Sequence, residues 1–523
     1  MGLEINVKDY DAIYKEYQKK REQLKKMGGE KAIEKQHKSL KLTARERLEY
    51  FFDDGVFTER GLYVQHRATK FGMDKKNIPA DALIVGFGKV DGRNVIAVAE
   101  DFTSMAGTFG ESHGKKFCEA VRMAKEMGVP FIGLNDSGGA RLQEGIDTLQ
   151  SYTWLFKEQV LASGIIPQIG IIMGPCLGGQ AYHPVMQDFV IQCRHTGFMG
   201  IASPAFVKTQ LGQKISLQDL CGVHAQAVKS GCTHVIAEDD KDALDTVKKI
   251  LSFIPSNNKE NPPRLKTTDD SEREDIDLDT LMPVEHFKVF DMHQVIHRIV
   301  DNGDFMEIHK EFAKNIIVGF ARFDGRPAGI VANQSSQKAG VLDCDAADKA
   351  ARFIRFCDLF NIPLINLHDT PGYLIGPKQE WKGILRHGAK MLYSFIEASV
   401  PKITIVLRKS YAGAYAGMCS KDTGADFVYA WPNARISIVG GATAASVIFA
   451  KEIQNSENPG ETRKKRIMEY ENEFENPYEA AKRGYVDDVI MPRQTRGIIN
   501  RSLDLLAKKD VVRPHRKYSN ITL

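Results

Sequence analysis

Apolar positions along this chain fall into runs of strand length, separated by stretches with helical spacing and by glycine-rich turns. The run IPQIGIIMGPCLGGQAY, Ile166–Tyr182, reads as a buried strand that stops at Gly174-Pro175 and again at Gly178-Gly179. Adjacent glycines just past a buried strand leave backbone N–H groups free to face a ligand. VPKITIVLRKSYAGAYAG, Val400–Gly417, repeats the pattern about 234 positions later, with Ala412-Gly413-Ala414 at the place of Gly178-Gly179-Gln180. Two more pairs keep nearly that offset and order: Gly86–Arg93 with Gly319–Arg326, and Val129–Gly139 with Ile362–Gly372. Register held over such a span predicts an internal duplication, and two long copies make two similar domains and not a solenoid.

The rest of the pattern fills in each copy. Residues 7–50 carry Tyr10, Ile13, Tyr14 and Tyr17 at helical spacing among Lys, Glu and Gln, and Thr43 with Glu46 fits a capping box. Ala82–Val85 and Val95–Ala99 read as strands joined by a turn at Asp91-Gly92, followed by a helix Lys115–Met127 and a strand Pro130–Leu134. The second copy offers a helix around Met292–Val300, strands Ile316–Phe323 and Ala328–Asn333, a helix Ala346–Leu359, and one more helical pattern beyond Thr495. Alternation of strands and helices predicts an α/β fold in both domains. Ser256–Glu285 is polar, charged and proline-bearing, so the division is 1–258, a linker 259–285, and 286–523.

Composition narrows the class. A chain of 523 residues, 43% hydrophobic and 26% charged, suits two globular cores. A net charge of +4 is small for this size and gives no reason to expect a nucleic-acid partner. The 8 cysteines stand singly without a C-x-x-C pair, which argues against a zinc site or a disulfide framework and suits a reducing compartment. No apolar run reaches membrane-spanning length, and Met1-Gly2 opens a polar segment without a signal-peptide core, so the expected location is cytoplasmic.

The candidate chemistry lies at the strand ends. Asp136–Arg141 follows one strand and Gly174–Gly179 the next, where open α/β sheets bind ligands. One N–H from each turn, aimed at one point, makes an oxyanion hole for a thioester enolate or a tetrahedral anion. Gly110-Glu111-Ser112-His113-Gly114 fits G-x-S-x-G formally, but FTSMAGTF before it is not a convincing strand. A hydratase would need a placed glutamate pair, and only Glu144 follows the first turn. A chain that binds a thioester without turnover is a third possibility.

DSGGARLQEG (136–145), GPCLGGQAY (174–182), DTPGYLIG (369–376), RHGAKMLYSF (386–395), RKSYAGAY (408–415) and YAWP (429–432) resemble the carboxyltransferase subunit of biotin-dependent acyl-CoA carboxylases and transcarboxylases. The nearest members are those for propionyl-CoA and methylmalonyl-CoA, and related subunits serve acyl-CoA decarboxylases of the methylmalonyl-CoA or glutaconyl-CoA type. The resemblance implies two tandem crotonase-like domains, the first binding acyl-CoA and the second biotin. It also implies a hexamer, a trimer of dimers, with each active site made where the first domain of one subunit meets the second domain of another.

Carried over by residue, the resemblance puts the thioester enolate on N–H groups at Gly178 and Gly179, with Gly138, Gly139, Ala140 and Arg141 on the substrate beside it. The biotin ureido oxygen goes to Gly413 and Ala414, with Gly372, Tyr373 and Tyr411 on the cofactor side. Carboxybiotin that has lost CO2 is itself an enolate-like base, which agrees with the lack of a Ser/His/Asp constellation. No metal is implied. Ala416 stands where relatives often carry Asp or a larger aliphatic residue and implies a roomier acyl pocket. Ala442 lies where relatives carry a charged side chain, His183 and Gln187 stand at places usually small, and Lys382 interrupts a usual Gly-Gly. With no Met-Lys-Met site and no ATP loop in the sequence, the implied partners are a biotin carboxyl carrier protein and a biotin carboxylase or membrane decarboxylase subunit.

Overall fold

The computed structural model describes residues 7–522, with side chains from Tyr10 onward. The chain divides into two compact units, the first running to Ser252 with Ser256–Asn258, the second comprising Phe253–Pro255 and everything from Lys259.

Among the described residues of the first unit nine strands form: β1 Phe57–Arg60, β2 Leu83–Val90, β3 Arg93–Glu100, β4 Phe131–Asn135, β5 Gln168–Ile172, β6 Pro175–Leu177, β7 Phe189–Cys193, β8 Phe198–Gly200 and β9 Val235–Ala237. Seven of them make one sheet in the order β1-β2-β3-β4-β5-β7-β9, and β6 pairs with β8 apart from it. The pairs β1·β2 and β2·β3 are antiparallel and the others parallel. Helices Glu111–Met127 and Ile146–Ala162 cover the sheet, burying Phe117, Val121 and Leu155 against Phe131, Val98 and Ile96. Such side chains each contribute about 1.5–3 kcal/mol on burial.

The second unit repeats this plan with β10 Met306–Ile308, β11 Ile316–Phe323, β12 Arg326–Asn333, β13 Leu364–Thr370, β14 Lys402–Tyr411, β15 Phe427–Ala430, β16 Arg435–Ser437 and β17 Asp488–Val489. Their order is β10-β11-β12-β13-β14-β15-β17, with β16 on β14. One difference is instructive: β14 is continuous, whereas its counterpart is broken into β5 and β6 at Met173-Gly174. Trp431 is fully buried in this core and donates its indole N–H to Thr495 Oγ1 at 3.0 Å.

Local chemistry explains the shared plan. The β2–β3 and β11–β12 hairpins close on Asp91-Gly92 (φ 50° and 75°) and Asp324-Gly325 (φ 52° and 72°), the left-handed pair that suits twisted hairpins. Each turn is held from below by one carboxylate: Asp53 accepts the N–H groups of Asp91 and Gly92, and Asp301 those of Asp324 and Gly325. Thr43 and Glu46 form the expected capping box. Strand β2 runs longer than its apolar run, through Gly86 and Gly88, interior positions kept bare by rings. A Cβ at either would meet Phe57 or Phe52 at 2.8 Å. The segment 259–285 contributes little regular structure, yet Leu265 N–H bonds the Gly325 carbonyl and Leu278 is buried in the second unit's core. Among the described residues no helix is long and apolar enough to cross a membrane, and no cluster of three or more His, Cys, Asp or Glu is placed to hold a metal.

Candidate functional site

In the first unit the two glycine-rich turns adjoin at the carboxyl ends of β4 and β5. Ser137 N–H donates to the Pro175 carbonyl at 2.9 Å, and a Cβ on Gly139 would meet the Leu177 carbonyl at 3.3 Å. Ser137 Oγ holds the first turn, donating to the Gly107 carbonyl and accepting from Gly139 N–H. Gly178 has φ 68° and ψ −134°, a conformation that costs any other residue, and it starts the short helix Gly179–Val185. Among the described residues the N–H groups of Ala140, Gly179 and Gln180 take no acceptor. Gly178 itself does not fit the donor role expected of it, because its N–H is spent on the Gly200 carbonyl at 3.0 Å. Its part is to bend the chain into that helix, whose first two N–H groups, of half-buried Gly179 and buried Gln180, are left unpaired.

The second unit builds the same device from other side chains. Ala412 has φ 52° and ψ −142° before the short helix Gly413–Gly417, so an alanine adopts here what the first unit leaves to glycine. Ala412 N–H bonds the Ser437 carbonyl, while those of Gly413, Ala414 and Tyr373 take no acceptor among the described residues. The Tyr373 ring lies against this helix: a Cβ on Gly417 would meet its hydroxyl at 2.5 Å, and one on Gly413 its ring at 3.6 Å. Burial pushes the Tyr373 phenol up to about 12. Beside the turn, a cavity of about 610 Å³ is lined by Ala412, Tyr415, Ile438, Tyr470, Phe474 and Tyr485, among others. Ala416 is half-buried, and its carbonyl accepts from Cys419 N–H and the Thr423 hydroxyl.

Two expected ligand contacts are corrected by their partners. The Arg141 guanidinium is fully buried, bonding Asp81 at 2.6 Å, Glu144 at 2.8 Å and the Thr108 carbonyl at 2.7 Å. It ties the loop after the first turn to Asp81 and Thr108, and its burial keeps it from a thioester. Tyr411 donates its hydroxyl to Glu475, which also takes Arg435 and the N–H of Gly441. Ser112 lies in the helix Glu111–Met127 and not on a strand-to-helix elbow, so the hydrolase motif has no structural counterpart. His387 is paired with Asp348 at 2.8 Å.

Sequence reading missed what lies beneath the first turn. Glu100, at the end of β3, is fully buried and accepts from Asp136 N–H at 3.1 Å and from Gln180 Nε2 at 2.5 Å. Asp136 is in turn clasped by Lys41, Arg47 and Gln36. In the second unit Asn333 occupies the place of Glu100 and likewise accepts from Asp369 N–H at 3.1 Å. The sequence carried one trace of this: both apolar strands, VIAVAE and GIVAN, end on a polar residue.

Residues 35–521 match the Carboxyl transferase domain family. The chain is 48% identical over 506 residues to the methylmalonyl-CoA decarboxylase subunit alpha of Propionigenium modestum, covering 97% of this chain and 98% of that one. It is 47% identical over 493 residues to the methylmalonyl-CoA carboxyltransferase 12S subunit of Propionibacterium freudenreichii subsp. shermanii, covering 94% of each. A crystal structure of transcarboxylase 12S, described as a hexamer assembly with methylmalonyl-coenzyme A and methylmalonic acid bound, superposes with a TM-score of 0.95 at 46% identity over 98% of both chains. With the duplicated crotonase-like plan and the paired turns, these likenesses establish that the chain belongs to the carboxyl transferase family.

Proposed function

We propose that this protein moves a carboxyl group between biotin on a separate carrier protein and the α carbon of a short-chain acyl-CoA of the propionyl-CoA/methylmalonyl-CoA type. The observation that carries the reading is the pair of equivalent turns with unpaired N–H groups, one in each unit. Carboxyl transfer needs two anions held, an acyl thioester enolate and the ureido oxygen of biotin, and two sets of fixed dipoles suit two anions. On this reading the N–H groups of Ala140, Gly179 and Gln180 hold the thioester oxygen, with Gly138 and Gly139 shaping the approach. Those of Gly413 and Ala414, beside the Gly372-Tyr373 turn, hold the biotin oxygen, and Ala416 borders the acyl group. Biotin supplies the carboxyl-carrying nitrogen; the chain binds, orients and neutralises developing charge.

The assembly that goes with this reading is a cytoplasmic homo-hexamer in which the first unit of one subunit faces the second unit of another. A biotin carboxyl carrier protein docks there, supplied by a biotin carboxylase or by a membrane decarboxylase subunit. The decarboxylase alternative draws on the 48% identity to decarboxylase alpha subunits of Propionigenium modestum and Veillonella parvula. The test incubates the purified protein with methylmalonyl-CoA and free biotin. Biotin-dependent formation of propionyl-CoA is the expected result, and no turnover of methylmalonyl-, malonyl- or glutaconyl-CoA overturns the proposal. Mass spectrometry of proteins that co-purify from the native source separates the partners: a biotin carboxylase marks a carboxylase, a membrane subunit a decarboxylase.

A further inference from the structure

Beneath the first turn lies a closed set of polar side chains, Glu100, His113, Gln180 and His183, each 0% exposed. Gln180 is its hub. Its amide nitrogen donates to Glu100 Oε1 at 2.5 Å and to His183 Nε2 at 3.0 Å, and its amide oxygen accepts from the Tyr152 hydroxyl at 3.1 Å. Stacking of Phe109 on Tyr152, with centroids 4.2 Å apart, and an edge contact of Phe117 with His183 keep the set dry. The backbone N–H of the same Gln180 takes no acceptor among the described residues and follows that of half-buried Gly179 at the turn. One residue therefore joins a buried network to the turn.

Donor and acceptor chemistry fixes where the protons are. His113 Nδ1 sits 3.0 Å from the Asp81 carbonyl, an acceptor only, so Nδ1 carries the hydrogen and a neutral ring presents a bare Nε2. Burial, with Arg141 and Lys116 nearby, keeps this ring neutral. Nε2 faces Glu100 Oε1 at 3.4 Å. A carboxylate there would set two lone pairs against each other, whereas a carboxylic acid supplies the missing hydrogen. The surrounding charges cancel without Glu100: Asp136 and Asp240 are met by Lys41 and Arg47. The remaining titratable neighbours, Asp101, Tyr152, Cys176 and His183, offer no cation, and desolvation pushes the Glu100 carboxyl up to about 8.

We infer that Glu100 is an un-ionised positioning residue: as a carboxylic acid it locks Gln180, and so holds the N–H groups of Gly179 and Gln180 in line for the thioester oxygen. The inference rests on the carboxyl-transfer reading above for its consequence in catalysis. Ionised Glu100 would place an uncompensated buried charge next to the point where the enolate charge develops, which opposes it.

The test compares the wild-type protein with E100Q, E100A and Q180A, using methylmalonyl-CoA as donor and free biotin as acceptor between about pH 6 and 9.5. Wild-type kcat should fall about tenfold per pH unit above about 8, with KM for methylmalonyl-CoA within about twofold, and E100Q should lack this alkaline limb. E100A and Q180A should lose roughly tenfold in kcat at neutral pH with little change in KM, E100Q recovering most of the loss. The same alkaline limb in E100Q, or a loss in Q180A confined to KM, would overturn the inference. A second measurement needs no turnover. A carboxyl that ionises near 4.5 when unfolded but near 8 when folded makes stability decline as pH rises between those values. The melting temperature of wild type relative to E100Q should therefore fall from pH 5 to pH 8, and parallel curves sink the un-ionised assignment. A falling difference without transfer from any CoA thioester overturns the reaction proposed above, and with it the catalytic consequence, while leaving the protonated Glu100 supported.

Discussion

The two units draw nearly the same backbone with different side chains. In the first, Asp136 is met by Lys41, from a loop before the sheet, and by Arg47, from the helix Ala44–Phe51. In the second, Asp369 is met at 2.8 Å by Arg408 from β14 itself. The first unit has Gly174 where the second has Arg408, and a Cβ on Gly174 would meet Asp136 Oδ1 at 1.8 Å. So the glycine leaves room for cations arriving from elsewhere, and the break between β5 and β6 follows from it. Above these acids the turns are held differently too, by the Gln180 network in one and by the Tyr373 ring against Gly413 and Gly417 in the other. A constant turn over variable supports means that each turn can be disturbed separately.

The largest expected effect comes from removing one N–H at equivalent positions. Gly179 and Gly413 each open a short helix, where proline is tolerated because that N–H has no helical partner. Gly179→Pro should cut transfer by about 10²–10³-fold through the thioester side, leaving the biotin side able to promote decarboxylation of free carboxybiotin. Gly413→Pro should cut transfer as steeply while CoA-thioester binding, read by calorimetry, is unchanged. Loss of thioester affinity in a folded Gly413→Pro protein would show that the two turns have been assigned the wrong way round. Full transfer in either variant would mean that its N–H takes no part.

A middle-sized effect concerns two buried lysines in equivalent places. Lys116 donates to the carbonyls of Ala80 and Leu83, and Lys349 to those of His309, Phe312 and Ile316. Both support chain segments with left-handed residues, Ala80, Asp81 and Ala82 in one and His309 and Ala313 in the other. Burial lowers their ammonium groups to about 8 and about 7. Methionine keeps the length and strands the carbonyls, so Lys116→Met and Lys349→Met should each cost about 2–4 kcal/mol in denaturant unfolding. Lys349→Met, which strands three acceptors against two, should cost more, and a reversed order would place the support in packing and not in hydrogen bonds.

Much of this was legible beforehand, for physical reasons that differ by region. Local rules reached what neighbours in sequence decide: the Asp-Gly hairpins, the capping box at Thr43 and the strand-to-helix turns at Gly178 and Ala412. Long-range pairing defeated them. The resemblance set Arg141 beside the substrate and Tyr411 beside biotin, but the partner of Arg141, Asp81, lies 60 residues back, and Tyr411 is bonded to Glu475, 64 residues on. Glu100 went unread, because nothing within a few residues says that Gln180, 80 positions away, will close over it. His183 and Gln187 stood out only by departing from relatives, and the structure gives that departure a setting for His183, which accepts from the Gln180 amide.

The smallest effect tests the turn conformation itself, which Gly178 and Ala412 share to within about 20° while differing by one methyl group. Space does not decide the outcome in the first unit, since a Cβ on Gly178 would meet only the Ile201 carbonyl at 3.8 Å. Backbone strain does, and Gly178→Ala should destabilise by about 1–2 kcal/mol in denaturant unfolding. The reverse change, Ala412→Gly, relieves strain of that size but returns about 0.4–1 kcal/mol of freedom to the unfolded chain. Its net effect should be a gain of about 0.5 kcal/mol, provided that the Ala412 methyl does little in the cavity wall. If Ala412→Gly instead destabilised the protein by more than about 1 kcal/mol, the methyl would be packing and not merely tolerated, and the second unit would have traded glycine for contact with its cavity.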